Sequence, residues 1–525
     1  MRAITLAVSV AIFLHLLSDE RFNVHGGKVL LVPTPVIESY WFEMAKIGQV
    51  LSDRGHDVAV VFPERVLTKR QKDRPDFQFE TFQDQGTWAR LEELNNLERE
   101  EAGEDGQIFL PRLLQLRQMW GQEMAKHCDL LLRNSTLTDR MKASRYDVIV
   151  TDALFHCGAI VGRHLDVPNV ALVAPLEHDT RATGVPFPCS YVPSVFSTFD
   201  DRMPFLQRLE NAFVVCKQMA VFWLWARAHD SVTHRYLGKG ETALTAMSHT
   251  DVWLYVSDPL LDFPQPSMPN MVNIGGFHVK QPGSLSEELE TFMRSSGDDG
   301  VVVVSFGAFM NSVPTQQAEV LATVFALLPQ KVLWRHGGEK PASLGSNTKL
   351  MNWLPQNDLL GHEKTRLFVT HAGRSSVYEA LHHGVPVVCL PTCLDQPANA
   401  ARLVARGAGI SLNYRTVTVE ELYQAIVTVI TDERYRAAAA RLSSLHRDQP
   451  QPPMGRAVWW IEHVIKHGGL PHLRARAVEL PWYQYYLLDV AAFLMAVCSV
   501  AMGVVWFSCL LCCRKCRRVG KIKSQ

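Results

Sequence analysis

The chain carries no net charge: its 525 residues hold 53 Lys and Arg against 53 Asp and Glu. Without a cationic excess there is no broad basic surface to neutralise phosphates, which argues against nucleic acid as a partner. Cysteine is scarce too. Of 11 cysteines, Cys498, Cys509, Cys512, Cys513 and Cys516 crowd toward the C-terminus, where the last three are placed for acylation beside a membrane. The other six, Cys128, Cys157, Cys189, Cys216, Cys389 and Cys393, are too sparse for a disulfide scaffold. The pair Cys389 and Cys393 has no second ligand pair, which speaks against zinc. No internal sequence repeat is visible. Disorder is also excluded, because 47% of residues are hydrophobic and 20% charged. The length allows two to four domains, each with its own core.

What is present at the two ends is membrane chemistry. Residues 1–24 read as a signal peptide: Arg2 precedes the apolar run Ile4–Leu17, which is too short to span a bilayer. Near the other end, Val490–Cys513 carries no charge and is long enough to cross the hydrocarbon core as a helix. Trp482, Tyr483, Tyr485 and Tyr486 precede it as an aromatic belt. Arg514, Lys515, Arg517, Arg518, Lys521 and Lys523 follow it within residues 514–525, a cytosolic basic tail by the positive-inside rule. The bulk of the chain then lies on the lumenal side, and its charge is about −6 by residue counting. The sequon at Asn134 suits glycosylation there. Lys521 and Lys523 resemble a dilysine retrieval signal, which points to the endoplasmic reticulum membrane and a single-pass type I topology.

Between the ends, strand and helix signals alternate. Lys28–Val32 is a short aliphatic run, Phe42–Leu51 has helical spacing and stops at Arg54-Gly55, and Asp57–Phe62 is extended again, which makes a βαβ unit. Tyr146–Thr151 and Asn169–Val173 continue it. Glu64–Arg145 and the stretch near residues 195–250 look like helical cover. A second series begins at Val301–Ser305, with strands at Lys331–Arg335, Leu367–Thr370 and Val385–Leu390. Its helices fall at Gln316–Leu328, Ser375–His383, Asp395–Arg406 and Val419–Thr431. Two α/β halves follow, 25–280 and 281–480, with a ligand cleft expected beyond the strand C-termini.

The chemistry concentrates in Trp353–Gly409. The strand ending at His371 leads into Ala372-Gly373 and then a helix beginning near Ser375-Ser376. Small residues admit a ligand to the backbone, and a helix N-terminus offers free N–H groups and positive dipole. This is an anion cradle suited to a diphosphate, without the lysine of a P-loop. The next strand delivers Asp395-Gln396, acid plus amide, a pair that suits sugar hydroxyls. Singly these signals are weak: His371 has a structural alternative, and Ser375 an alternative as a helix N-cap.

The order of the motifs is specific. WLPQNDLLGH, FVTHAG, YEALHHGVP and DQPANAARLVARGAG, with RGHDV earlier, VVVVSFG, KVLWR and the WYQYYLLDV lead-in, resemble the membrane-bound UDP-glucuronosyltransferases of the UDP-glycosyltransferase family. The resemblance runs from about Lys28 to the C-terminus. It implies a GT-B fold, two Rossmann-like domains facing a cleft, plus one C-terminal transmembrane helix. The first half would take a small lipophilic acceptor and the second a UDP-sugar. By motif match, Trp353 and Gln356 face uracil and ribose. His371, Gly373 and Ser376, with Ser375 alongside, face the diphosphate. Glu379 faces the ribose hydroxyls, and Asp395 and Gln396 the sugar. No metal or other cofactor is implied, because the helix dipole and His371 meet the leaving UDP.

The chain departs from the family at points that matter. The usual general base is a His after the first strand, oriented by an Asp from the same half. Asp152 matches that Asp, but Tyr40 stands at the His position, and a phenol with a pKa of about 10 is a poor base near neutrality. Either the register of that loop shifts or the usual base is missing. Ala372 and Ser375 replace the family's Gly and Asn, Thr392-Cys393-Leu394 replaces its usual loop, and Gln265 stands where relatives often have Arg. The expected activity is inverting transfer of glucuronic acid, or another hexose, to a lipophilic acceptor. The alternative is a weakly active or inactive member that binds UDP-sugar in a regulatory role, alone or in a homo- or hetero-oligomer.

Overall fold

A computed structural model describes residues 26–101, 110–174, 180–307, 310 and 313–522. The expected signal peptide lies outside them, as does Lys523. The chain divides at Arg474/Ala475 into two compact units.

The larger unit is built on two all-parallel sheets. The first runs in the order β3-β2-β1-β4-β5-β6-β7, with β1 at Lys28–Val32, β2 at Asp57–Pro63, β3 at Gln78–Phe82, β4 at Val148–Asp152, β5 at Asn169–Val173, β6 at Val252–Tyr255 and β7 at Met271–Asn273. The second runs β10-β9-β8-β11-β12-β13, with β8 at Val301–Ser305, β9 at Lys331–Arg335, β10 at Thr348–Met351, β11 at Thr365–Thr370, β12 at Val387–Cys389 and β13 at Gly409–Ser411. Both sheets reverse strand order beside their first strand, at β1/β4 and at β8/β11. Such switch points open a crevice at the strand C-termini. The expected architecture of two Rossmann-like sheets in a GT-B arrangement is therefore present.

The aliphatic runs explain why these segments are strands. Along β1, Val29 and Leu31 enter one core while Leu30 and Val32 enter another on the opposite face. Along β8, Val301 and Val303 point one way and Val302 and Val304 the other. Side chains alternate faces in a strand, so a sheet covered by helices on both sides needs an unbroken apolar run. Each such side chain stabilises the fold by roughly 1.5–3 kcal/mol.

Segment 64–145 holds more than helices. It contains β3, an edge strand whose inward Glu80 disguises the pattern. Arg140 donates to Glu80 at 2.7 Å and the Tyr146 hydroxyl at 3.2 Å. Helix Leu110–Arg133 is joined to helix Cys157–Leu165 by the disulfide Cys128–Cys157. Late in the chain, helix Pro453–His467 returns to the first sheet. Ala457, Val458, Ile461 and Val464 share a core with Val29 and Leu31, and Glu462 accepts two bonds from Arg54 at 2.9 and 3.1 Å.

The second unit, Ala475–Gln525, carries helix Leu488–Ile522. Its stretch Leu488–Arg514 is long and apolar enough to cross a membrane, which agrees with the span expected at 490–513.

Candidate active site

The second sheet carries the residues expected to face the nucleotide. His371 follows β11, and its ring sits between two glycines. A Cβ on Gly307 would come within 2.7 Å of the ring, and one on Gly373 within 2.4 Å of Nε2. A side chain at either position would displace the His371 ring. Burial pushes the imidazole down to about 4, against the raising effect of the Ser305 backbone, so His371 is neutral near pH 7. Between His371 and the helix Arg374–His383, Ala372 takes φ 61°. That left-handed turn costs a non-glycine residue roughly 1–2 kcal/mol. It is held by Asn399, whose Nδ2 donates to the Ala372 carbonyl at 3.1 Å and to Asp395 Oδ2 at 2.7 Å. One amide thus fixes both the turn and the expected sugar-facing acid.

Four expected donor residues gather around this turn. Gln356 Nε2 donates to Ser376 Oγ at 3.0 Å and to Glu379 Oε2. Trp353 is 62% exposed, and the Arg335 guanidinium lies over its ring at 4.6 Å from the centroid. An aromatic face left open this way suits base stacking. Gln396 is partly committed elsewhere: its Oε1 accepts from Thr392 N at 2.9 Å and Thr392 Oγ1 at 2.8 Å, bracing the loop that precedes Asp395. Ser375 is drawn across the cleft, where its Oγ donates to Glu43 Oε1 at 2.9 Å.

The first sheet carries Asp152, expected on the acceptor side. Asp152 ends β4 with only 1% exposure. Its Oδ1 accepts from Leu154 N at 2.9 Å, and the Thr34 side chain is a further hydrogen-bond partner of the carboxyl. Burial raises its pKa, and the Glu43 charge adds to the rise. Behind Asp152 lies a small cavity lined in part by Phe155, His156, Met247 and Trp253. His156 and His229 sit 5.2 Å apart, centroid to centroid, and burial lowers both pKa values. Tyr40 is half-buried on the first turn of helix Glu38–Asp53.

Sequence reading missed three contributors. Glu43 lies on that helix three residues beyond Tyr40, and its only sequence signal is an acid inside an otherwise apolar stretch. Arg374 heads the helix after His371 and forms an ion pair with Asp262 at 3.1 Å; Arg402 reaches the same carboxylate at 3.1 Å. Burial works against this carboxylate, yet the two guanidiniums hold its pKa below the usual range. Asn399 is the third.

With this geometry in place, the sequence itself matches a known family model. The model for UDP-glucoronosyl and UDP-glucosyl transferase covers residues 27–523. The chain belongs to this family. It is similar to UDP-glucuronosyltransferase 1-2 of Rattus norvegicus, 38% identical over 498 residues, 94% of this chain and 92% of that one. Its likeness to UDP-glucuronosyltransferase 1A1 of Homo sapiens is 37% over 508 residues, 95% and 94% of the two chains. Solved structures agree on the fold. The glycotransferase of kitacinnamycin gives a TM-score of 0.57 at 20% identity, over 84% of this chain and 99% of that one. A variant of Os79 from O. sativa in complex with UDP gives 0.57 at 18%, over 83% and 100%. As a family member the chain is a UDP-glycosyltransferase, an enzyme that moves a sugar from a UDP-sugar to an acceptor.

Proposed function

We propose that this UDP-glycosyltransferase transfers glucuronic acid, with inversion, to a small lipophilic acceptor. The observation that carries the reading is the joined cluster Gln356, Ser376 and Glu379 beside His371, on a helix N-terminus that supplies positive character where UDP leaves. In this reading Trp353 stacks on uracil, and Gln356 and Glu379 hold ribose. His371 and the N–H groups after Gly373 take the diphosphate, and Asp395 with Gln396 takes the sugar. No metal or cofactor enters, because those backbone groups and His371 meet the departing charge. The acceptor enters from the side of Asp152.

The same reading places the larger unit in the lumen of the endoplasmic reticulum, anchored by Leu488–Arg514 with its tail in the cytosol. Six cations after the span support that orientation. The disulfide Cys128–Cys157 suits an oxidising compartment. Asn134 caps helix Ser135–Ser144 through its Oδ1, which accepts from Leu137 N at 3.1 Å, and this leaves Nδ2 for a glycan.

The test is turnover by the full-length chain in detergent, with a panel of UDP-sugars and of phenol and amine acceptors. The expected product is a β-glucuronide from the α-configured donor. UDP binding without turnover of any pair would instead support the non-catalytic alternative that Tyr40 raises.

A further inference from the structure

The usual base position holds Tyr40, yet the cleft is not short of bases. Helix Glu38–Asp53 turns Glu43 toward the second half, and its Oε1 accepts the Ser375 hydroxyl at 2.9 Å. Ser375 is itself fixed, since His278 Nε2 donates to its carbonyl at 3.0 Å. Glu43 thus stands at the N-terminal turn of the helix that follows the phosphate cradle. Its carboxylate also lies within electrostatic range of Asp395 on the sugar side and of Asp152 on the acceptor side. Asp152 brings a second buried carboxyl to the same cleft, held by Leu154 N and by the Thr34 side chain.

We propose that Glu43 is the general base of the transfer, taking the place of the absent histidine, an inference that rests on the transferase reading. The acceptor O–H bond breaks toward Glu43 as the acceptor oxygen forms its bond to the sugar's anomeric carbon. The bond from that carbon to the UDP oxygen breaks with its electron pair leaving on UDP. Glu43 ends protonated and returns the proton to solvent. Position comes first and proton affinity follows. Burial lifts the Glu43 carboxyl above the usual range, and the Asp395 charge adds to this; the Ser375 bond and the Lys46 and Arg374 charges oppose it. A carboxyl raised toward neutrality is a better base than an ordinary one. Two carboxyls in one low-dielectric site do not both ionise readily, and burial with the Glu43 charge favours the protonated form of Asp152.

The experiment compares Glu43→Gln and Glu43→Asp with wild type, full-length in detergent. It uses two acceptors, an aliphatic alcohol and a nitrophenol already ionised at the assay pH. UDP affinity is measured alongside as the check on folding. Positioned proton transfer is worth about 10²–10⁴-fold, so Glu43→Gln is expected to lose at least 100-fold with the alcohol and under tenfold with the nitrophenolate. Glu43→Asp should recover part of the alcohol rate and keep an acid limb in kcat/KM that Glu43→Gln lacks. Equal losses on both acceptors, or UDP affinity falling with the rate, would assign Glu43 a merely structural part and overturn the proposal. So would a Glu43→Gln alcohol rate within threefold of wild type. Wild type turning over neither acceptor removes the transferase reading itself, and the proposal with it.

Discussion

Replacing Asp262 by Asn removes one negative charge from between two buried guanidiniums. Arg374 and Arg402 lie at 3.1 Å from the carboxylate with side chains only 9% and 6% exposed, and Asp262 is 8% exposed. The amide keeps the shape, and its one oxygen can still accept the hydrogen bond that Ser257 Oγ donates at 2.6 Å, but its NH2 then faces Arg402, so an acceptor is lost along with the charge. Removing one partner of a buried pair costs about 3–5 kcal/mol, because the other charge stays desolvated. Asp395 lies within range of Arg374, which places the expectation near the lower end, about 3 kcal/mol. The assay is urea unfolding of the full-length protein in detergent, with Asp262→Asn/Arg402→Met as a second variant that recovers part of the loss. The pH dependence has a fixed sign. The pKa of Asp262 is lowered in the folded state, so its contribution is fully present above the unfolded value of about 3.9 and is lost as pH falls through the folded value. The penalty of the variant should therefore be flat from about pH 5 to 8 and shrink only in stronger acid. A loss below about 1 kcal/mol, or strictly additive double-variant energies, refutes the view that this triad carries a charge network joining the two halves.

Trp353→Ala should weaken UDP binding by about ten- to hundredfold, since stacking on an aromatic ring is worth roughly 1–3 kcal/mol per base, while Trp353→Phe retains most of it; calorimetry that finds equal affinity for Trp353→Ala excludes the stacking role. Breaking Cys128–Cys157 in a Cys128→Ser/Cys157→Ser variant opens a link of sequence separation 29 and should lower stability by roughly 3.5 kcal/mol on the chain-entropy estimate, read as a lower urea midpoint. An unmoved midpoint contradicts it.

Segments read best in the sequence where one requirement dominated. Val301–Ser305 had to be apolar on both faces, and its five residues carry that in an unbroken run. That the residues expected to face the donor would come together was equally legible, because His371, Ser376, Gln356 and Glu379 lie within one stretch, and the last three are joined by hydrogen bonds. β3 was hidden by its inward Glu80, whose partners Arg140 and Tyr146 lie 60 and 66 residues away. Asp262 and Arg374 are 112 residues apart, and no local period announces an ion pair at that distance. The return of helix Pro453–His467 to the first sheet is likewise set by non-local packing. Glu43 shows the same limit at the site itself. On helix Glu38–Asp53 its neighbours in sequence give it no role, and only the approach of Ser375 from the other half does.

The central claim is that the turn after β11 holds the diphosphate of a nucleotide sugar, and the affinity of the full-length chain for UDP tests it most directly. His371 offers a neutral donor to a charged phosphate, a bond worth about 1.5–3 kcal/mol. Calorimetric titration with UDP should therefore show binding to wild type and about ten- to 150-fold weaker binding to His371→Ala, with His371→Gln in between. UDP binding equally well to all three, or not at all to wild type, would contradict the account.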